Sequence, residues 1–369
     1  MTKIRCRIIG RFVAAKMLLL ILCAVWTAPG TEARGRDWEP QRTWVFVVGA
    51  LRFKHADMFD SFPQENRRDA ELVAFFRQQG VPPEHIVYLR DREATAKRIQ
   101  NSLTTQLSKA KRGDLLFLYY TGHGYKSDDD GETFLASYDA GDDDVPGWAV
   151  NSIPAAIERY FKGSRAFIAL DNCYSGALAE EVTKRAGRVS YAALTSSTSD
   201  QSSTGEWTFT EGLLATLRGR ASEDTNGDGE ITLEELAGEV KADMSFAENQ
   251  RAVFTVTGDF SPQTVLSEAE IKSDPRVGER VEVKSEGSWY KGRIINADRQ
   301  GARFLIHYYG WDDSFDEWVG ARQIRRPKIR RFAAGRNTDA QREDFRHSFL
   351  RLRGVSPNNA QAAPPGTAQ

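Results

Sequence analysis

The feature that most constrains this chain is a regular alternation of short apolar runs and amphipathic stretches between residues 43 and 260. The short runs are rich in β-branched and aromatic residues, which is typical of buried strands. The stretches between them have apolar residues at helical spacing. The alternation predicts an α/β fold, with a mostly parallel sheet sandwiched by helices. The predicted strands are residues 44–48, 86–89, 115–120, 166–170, 189–194 and 253–256, and the predicted helices are residues 66–79, 95–111, 152–161, 176–185 and 208–217.

Two reactive side chains follow two of these predicted strands. His123 comes just after the run 115–120, and Cys173 comes just after the run 166–170. In open parallel sheets, functional groups gather beyond the carboxyl ends of the strands. A thiol is mostly protonated at neutral pH, so a nearby imidazole is needed to take its proton or to protonate a leaving amine. A structural role is the alternative for either residue alone, but two in matching positions favour a catalytic dyad.

The backbone around this pair predicts how a reaction would be stabilised. Glycines flank His123 and allow the main chain to approach a substrate closely. We predict that the amides of Gly124 and Cys173 hold the oxyanion that develops during acyl transfer. The reaction would pass through a thioester at Cys173.

The motifs YYTGHG at 119–124 and DNCYSG at 171–176 resemble those of the caspase and metacaspase superfamily of cysteine peptidases. The segments FLASYDA at 134–140 and LTSSTSDQSS at 194–203 are similar as well. The resemblance covers most of a domain predicted at residues 40–265. It implies a caspase-like fold, with His123 as general acid and base and Cys173 as nucleophile. Family members often cut their own loops, and basic residues that could be cut here are Lys184, Arg185 and Arg188.

Charge around the nucleophile predicts the substrate. Asp171 stands two residues before Cys173, where caspases have glutamine and metacaspases have aspartate. Asp200 matches a second pocket acid of the metacaspase pattern. An acidic pocket wall selects a basic side chain, so we predict cleavage of proteins or peptides after arginine or lysine. Asp171 has a turn or helix cap as its alternative role, and the two roles can coexist.

Residues 224–235 match the calcium-binding loop of an EF-hand, with glycine at loop position 6 for the sharp turn. No partner hand is visible, which favours a structural role for calcium over a regulatory one. The acidic runs that begin at Asp128 and Asp142 could supply a second calcium site, with solvated loops as the alternative. The predicted ligands are Asp224, Asn226, Asp228, Glu230, Thr232 and Glu235.

A composition shift predicts a linker at residues 266–275 and a small all-β barrel at residues 276–327. The segment IHYYGWDDSFDEWV at 306–319 resembles the Tudor-knot and chromo-barrel family. In that family an aromatic cage can hold a methylated lysine by cation–π attraction. The matching residues are Tyr290, Tyr308, Trp311 and Phe315, and the predicted strands are residues 280–284, 289–295, 302–308, 315–319 and 322–325.

A simpler interpretation of the barrel aromatics is that they fill a core too small to have other apolar residues. Trp289 and Trp318 are best explained in this way. The ligand of the barrel stays open, with a peptide, a glycan or another domain of the same chain as alternatives.

The first 33 residues are predicted to be a signal peptide. Basic residues precede the apolar run 17–26, and small residues follow at 31–33. The run is too short to span a bilayer comfortably. We therefore expect an exported protein, periplasmic or extracellular, without a transmembrane span; a retained amphipathic anchor is the alternative. Cleavage would remove Cys6 and Cys23 and leave Cys173 as the only cysteine.

The net charge of −1 conceals an asymmetry along the chain. Residues 328–369 form an arginine-rich segment and then a Pro/Ala/Gln tail predicted to be disordered. Such arginine runs are usually solvated, so nucleic acid is not expected as a partner. The sequence as a whole predicts an exported cysteine endopeptidase. The competing interpretations are a binding protein that uses the barrel, with an inactive peptidase fold as scaffold, and a calcium-dependent structural protein.

Overall fold

The computed structural model of the protein describes residues 36–327, except positions 128, 143, 144, 186 and 286. The predicted signal peptide, the predicted tail at 328–369 and the acidic residues Asp128, Asp143 and Asp144 lie outside the described residues. Within the described part of the chain, no helix is long and apolar enough to cross a membrane.

The described chain contains sixteen strands and six α-helices. The strands are β1 (Thr43–Ala50), β2 (Ile86–Arg90), β3 (Leu115–Gly122), β4 (Gly124–Lys126), β5 (Thr133–Leu135), β6 (Trp148–Ala149), β7 (Arg165–Asp171), β8 (Ser190–Thr195), β9 (Glu230–Thr232), β10 (Val253–Val256), β11 (Val265–Glu268), β12 (Arg280–Ser285), β13 (Ser288–Ala297), β14 (Arg303–Tyr308), β15 (Glu317–Gly320) and β16 (Ile324–Arg325). The helices are α1 (Arg68–Gln78), α2 (Ala96–Lys109), α3 (Ser152–Tyr160), α4 (Ala177–Lys184), α5 (Thr208–Leu217) and α6 (Leu233–Asp243). Shorter helical turns are Pro40–Arg42, Pro83–His85, Asp91–Glu93, Met244–Glu248, Asp313–Phe315 and Ala321–Gln323.

The central sheet has six strands in the order β10-β8-β7-β3-β1-β2. All neighbours run parallel except β10, which is antiparallel to β8. The α/β class and the mostly parallel sheet predicted from the sequence are therefore confirmed. Each of the six predicted strands is present, with ends that differ by no more than a few residues.

Helices cover both faces of this sheet. Successive residues of a strand point to opposite faces, so each strand contributes to two cores. Phe46 and Val48 belong to the core that α2, α3 and α4 complete. Val45 and Val47 belong to the core that α1, α5 and α6 complete. All eight residues of β1 are buried, which explains why its sequence is continuously apolar rather than alternating.

Two smaller sheets extend the loops of the α/β region, and neither was predicted. Strands β4, β5 and β6 form an antiparallel sheet directly after His123. Strand β9, inside the predicted calcium loop, pairs antiparallel with β11. Strand β11 begins at the boundary drawn between the predicted domain and its linker.

The C-terminal sheet is antiparallel, in the order β15-β14-β13-β12-β16, and confirms the predicted all-β module. It curls as a half-barrel around a small apolar core. A register shift between Ile294 and Asn296 bends β13, as a bulge does. The core residues include Val281, Val283, Phe304, Ile306 and Val319.

Buried charges connect this module to the α/β region. Arg293 on β13 is only 5% exposed, and its guanidinium donates hydrogen bonds to Glu223 at 2.7 Å and to Asp243 at 3.2 Å. Glu239 accepts a further hydrogen bond from the same group. A second cluster joins His307 on β14 to Glu211 on α5 at 3.4 Å.

Candidate active site

The register of the central sheet brings the two reactive residues to the same edge. Thr121 on β3 is paired with Asp171 on β7, and the two strands are parallel neighbours. His123 and Cys173 each lie two residues beyond this pair. Gly124 lies against the nucleophile turn, since a methyl group added there would be 2.2 Å from the carbonyl oxygen of Cys173. The structure therefore juxtaposes the two segments whose amides were predicted to hold the oxyanion.

The imidazole of His123 is held in one orientation. Its Nε2 lies 2.8 Å from the carbonyl oxygen of Asp60 and donates to it. This hydrogen bond places the proton of the neutral ring on Nε2 and leaves Nδ1 as the acceptor. The rings of Phe53, Phe59 and Phe62 surround the imidazole, with centroid distances of 5.1, 5.7 and 4.5 Å. Burial lowers the pKa of His123, so the ring is neutral and able to act as a base at neutral pH.

The thiol of Cys173 is half-buried and accepts a hydrogen bond. The amide of Ser203 donates to its Sγ at 3.1 Å. An amide directed at sulfur stabilises the thiolate more than the thiol. Ser203 belongs to the segment at 194–203, so this segment contacts the predicted nucleophile.

The turn after the nucleophile is strained. Tyr174 has a φ of 59°, in the left-handed region that bulky residues rarely adopt. Its amide donates to the carbonyl of Gln201 at 2.9 Å, which ties the turn to the neighbouring loop. Ser196 and Ser197 brace the same turn through hydrogen bonds to the main chain of Asn172. Backbone strain of this kind clusters at functional sites.

Asp171 lies beneath this edge of the sheet. Its carboxylate accepts a hydrogen bond from the hydroxyl of Thr210 on α5 at 2.7 Å. Burial raises the pKa of Asp171 to about 7, despite that hydrogen bond. Glu248 is a second acid in this region, and its charge contributes to the shift. Burial also raises the pKa of Glu248, whose carboxylate accepts from Thr208 at 2.6 Å.

The two acids predicted for one specificity pocket have different surroundings. Asp200 is exposed and accepts a hydrogen bond from Thr198, which lowers its pKa. No hydrogen bond joins Asp200 to Asp171 in the part of the chain that the structure describes. Sequence reasoning missed Glu248, because a single glutamate at the end of the helical turn Met244–Glu248 carries no motif.

The loop at 224–235 turns sharply at two glycines. Gly227 and Gly229 have φ values of 77° and 87°. Asp224 accepts hydrogen bonds from both of their amides, at 2.6 and 3.1 Å. Asn226 accepts from the amide of Asp228 at 2.8 Å, and the carboxylate of Asp228 accepts from the amide of Glu230 at 2.9 Å.

The last predicted ligand closes the loop from the other end. Glu235 forms a capping box with Thr232 at the start of α6 and accepts from the amide of Thr225 at 2.9 Å. The residue types are the oxygen donors that calcium prefers. Among the residues described, however, no three or more His, Cys, Asp or Glu side chains are gathered in a metal-binding group. The donors fit calcium by chemistry, and the carboxylates of Asp224, Asp228 and Glu235 bind amides of the loop itself.

The four predicted cage aromatics form two perpendicular pairs. Tyr290 and Tyr308 have centroids 6.3 Å apart, and Trp311 and Phe315 have centroids 5.4 Å apart. Tyr308 is buried in the barrel core and donates from its hydroxyl to Glu317 at 2.7 Å. Tyr290 and Trp311 are half-buried against that core.

The prediction for the two remaining tryptophans of the barrel was wrong. Trp289 and Trp318 do not fill the core, since they are 38% and 39% exposed. Side chains alternate along a strand, so the inward positions of Tyr290 and Val319 turn their neighbours outwards. The guanidinium of Arg325 covers the ring of Trp289 at 3.7 Å.

Of the three basic residues considered for self-cleavage, Lys184 and Arg188 are exposed and Arg185 is half-buried. The side chain of Lys184, in the last turn of α4, is exposed and pairs with Glu181. Arg188 is held by main-chain carbonyls, including that of Gly163 at 3.1 Å.

Comparison with known proteins identifies one part of the chain. Residues 278–329 match the Agenet domain, a Tudor-like family, in agreement with the curled C-terminal sheet. No curated protein matches the sequence. Among solved structures, the chain is similar to a crystal structure of a Geobacter sulfurreducens protein, with 13% identity and a TM-score of 0.44. That similarity covers 62% of this chain and 100% of the other.

Proposed function

We propose that this protein is a cysteine endopeptidase of the caspase and metacaspase type. The observation that carries the proposal is the common register of His123 and Cys173, two residues beyond the paired Thr121 and Asp171. A thiol and an oriented imidazole at one sheet edge have the chemistry of acyl transfer.

The proposed reaction follows from the orientation of the imidazole. Nδ1 of His123 takes the proton of the Cys173 thiol, and the sulfur attacks the substrate carbonyl. The amides of Gly124 and Cys173 stabilise the oxyanion. The imidazolium then protonates the leaving amine, a thioester forms, and water activated by the same imidazole hydrolyses it. The carbonyl of Asp60 keeps the ring in place throughout.

The charge near the nucleophile supports cleavage after arginine or lysine. Asp171 and Glu248 are acids whose pKa values are raised by burial. A substrate guanidinium or ammonium would compensate charges that protein hydroxyls now solvate. Asp200, exposed at the neighbouring loop, is the proposed acid at the rim.

Calcium is proposed as a structural ligand of the loop at 224–235. When bound, it would supply a charge that fixes the connection between α5 and α6. The residues that would hold it are Asp224, Asn226, Asp228, Glu230, Thr232 and Glu235. We also propose that the predicted signal peptide directs export to the periplasm or the extracellular space.

Cleavage of arginyl, lysyl and aspartyl fluorogenic peptides tests the proposal. The full chain and its Cys173→Ala variant would be compared with calcium and with a chelator. We expect activity on the basic peptides that vanishes in the variant. Preference for the aspartyl peptide would overturn the specificity, and activity retained in the variant would overturn the nucleophile. If the chain stays intact while active, self-cleavage is not required.

The Agenet match favours a second function, in which the barrel binds a ligand. The half-buried Trp311 is the side chain to test, because it packs on the core without being enclosed by it. Binding of trimethyl-lysine peptides that is lost in Trp311→Ala would support a reader function. Equal binding of both proteins would contradict it.

A further inference from the structure

An open groove lies beside the candidate dyad and has no role in the proposed chemistry. Its volume is about 520 Å³, and its walls include Met58, Phe59, Tyr125, Val145 and Pro146. Met58 is 59% exposed, which is unusual for a large apolar side chain. Methionine adapts its shape to different apolar partners, so it suits a binding surface.

The groove borders the phenyl ring of Phe59, which packs beside the imidazole of His123. The ring of Phe59 lies 5.7 Å from the imidazole and 5.5 Å from the ring of Tyr125, between centroids. Both aromatic residues also line the groove. A group bound there would therefore be separated from the imidazole by the ring of Phe59 alone.

The imidazole has a second flank that faces the nucleophile loop. Phe62 lies 4.5 Å from the imidazole, and a methyl group added at Gly205 would contact Phe62 at 3.4 Å. Two residues earlier, the amide of Ser203 binds the sulfur of Cys173. The segment 203–205 thus runs from the sulfur of Cys173 to Phe62, which lies on one side of the His123 imidazole.

The proposed chemistry assigns the two flanks to the two halves of a substrate. The sulfur bonds to the acyl carbon, so residues before the cleaved bond pass the sulfur and the segment 203–205. The imidazole protonates the leaving amine, so residues after the bond must pass the ring. We assign them to the flank of Phe59, because this ring also lines the groove whereas Phe53 is buried.

The acidic residue at the rim of the groove already has basic partners. Asp142 is paired with Lys54 and with His55, each at 2.6 Å. Gly141 has a φ of 94°, and a methyl group there would be 2.7 Å from the Met58 sulfur. Because Gly141 has no side chain, there is room for the Met58 side chain on the wall of the groove.

We propose that this groove binds an apolar side chain of the leaving segment, at the first or second residue after the cleaved bond. The inference rests on the proposed peptidase function and adds to it a selection on the far side of the bond. The enzyme would then recognise a basic residue followed closely by an apolar one.

Matched substrates test this without confusing the two proposals. Quenched peptides would share one arginyl acyl half and carry leucine or glycine at the first or second position after arginine. An arginyl amide with a fluorophore as leaving group has no residue to enter the groove and reports peptidase activity alone. We expect kcat/KM for the better leucine peptide to exceed that of its glycine counterpart about tenfold.

Variants of the groove wall should remove this selection. In Met58→Glu, and independently in Val145→Glu, we expect the leucine-to-glycine ratio to fall towards one, because a carboxylate in the groove opposes an apolar side chain. Ile271→Glu is the control, since Ile271 is 97% exposed and outside the groove, and it should keep the ratio.

The outcomes separate the two proposals. If the arginyl amide is cleaved while the wild-type ratio is near one, or while both wall variants keep the wild-type ratio, the groove proposal is overturned and the peptidase stands. If the wild type does not cleave the arginyl amide, both are overturned.

Discussion

The edge of the central sheet and the interface with the barrel both bury charged groups, but they compensate them differently. At the interface, Arg293 meets Glu223, Glu239 and Asp243. Burial would lower the pKa of Arg293, and these carboxylates raise it instead. At the sheet edge, the carboxylate of Asp171 accepts from the hydroxyl of Thr210, and burial raises its pKa to about 7.

The difference separates charged groups that hold the structure together from charged groups that can still bind a ligand. A buried ion with a counter-ion is fixed, since removing either partner leaves an uncompensated charge. Burial raises the pKa of Glu223 to about 7, as it does for Asp171, so the regions differ in the counter-ion and not in this shift. The carboxylate of Asp171 is solvated by hydroxyls and can still gain from a cationic ligand.

The two regions are nevertheless connected by short paths. His307 of the barrel contacts Glu211 on α5, and the preceding residue, Thr210, holds Asp171. The guanidinium of Arg68 also binds Glu211 at 3.0 Å and Asp313 of the barrel at 3.1 Å. The barrel is therefore packed against the elements that support the candidate site.

Replacing the nucleophile is the change with the largest expected effect. Cys173→Ala should lower kcat/KM on arginyl peptides by at least about 10⁴-fold, because no other group can form the thioester. Its melting temperature should stay close to that of the wild type. A large loss of stability with retained cleavage would make Cys173 a structural residue and remove the contrast between the two regions.

Breaking the interface should cost stability. Arg293→Met leaves the buried Glu223 without its cation, while Arg280 still pairs with Glu239 and Asp243, and we expect a loss of about 3–5 kcal/mol in the free energy of unfolding. Arg325→Met is the matched control. Its guanidinium pairs with Glu282 but is 37% exposed, so a loss below about 1 kcal/mol is expected. Urea unfolding of both variants measures the difference, and equal losses would contradict the structural role of the buried network.

The pH dependence of stability should report how much the charge of His307 contributes to the interface. Burial lowers its pKa, but hydrogen bonds to Asp316 and Glu211 outweigh this and raise it to about 10. The charged ring thus stabilises the fold fully below its unfolded pKa of about 6.5, and this contribution is lost as pH rises through 10.

His307→Gln should therefore destabilise the protein most at pH 6, by about 1–3 kcal/mol, and least above pH 10. Thermal unfolding of both proteins across this range measures it. A difference that does not change with pH would show that packing, not charge, is the contribution of His307.

The smallest expected effect is on the pH profile of cleavage. Burial lowers the pKa of His123 below its usual 6.5, so the ring stays neutral, and able to act as a base, in more acidic solution. The acid limb of kcat/KM for the arginyl amide should therefore contain two ionisations, that of Asp171 near pH 7 and that of His123 below pH 6.5. A limb without an ionisation below pH 6.5 would contradict the lowered pKa of His123.

Much of the fold follows from local patterns. The runs at 44–48 and 115–120 are apolar and β-branched enough to predict strands, and both appear with slightly longer bounds. The sheet of β4, β5 and β6 was missed because its strands are only two or three residues long and its pairing depends on contacts across loops. Predicted helix ends also differ by a few residues, as fraying termini do.

The sequence by itself predicted His123 and Cys173 as candidate reactive residues and placed each of them just after an apolar run. It could do so because the motifs, the apolar runs and the flanking glycines are all local features. Only the tertiary structure decided what surrounds them. The carbonyl of Asp60 that orients His123 is 63 residues away in sequence, and the amide of Ser203 that binds Cys173 is 30 away. Hydrogen bonds to main-chain groups leave no mark on residue identity. Burial likewise decides which acids are shifted, because desolvation depends on how the whole chain packs.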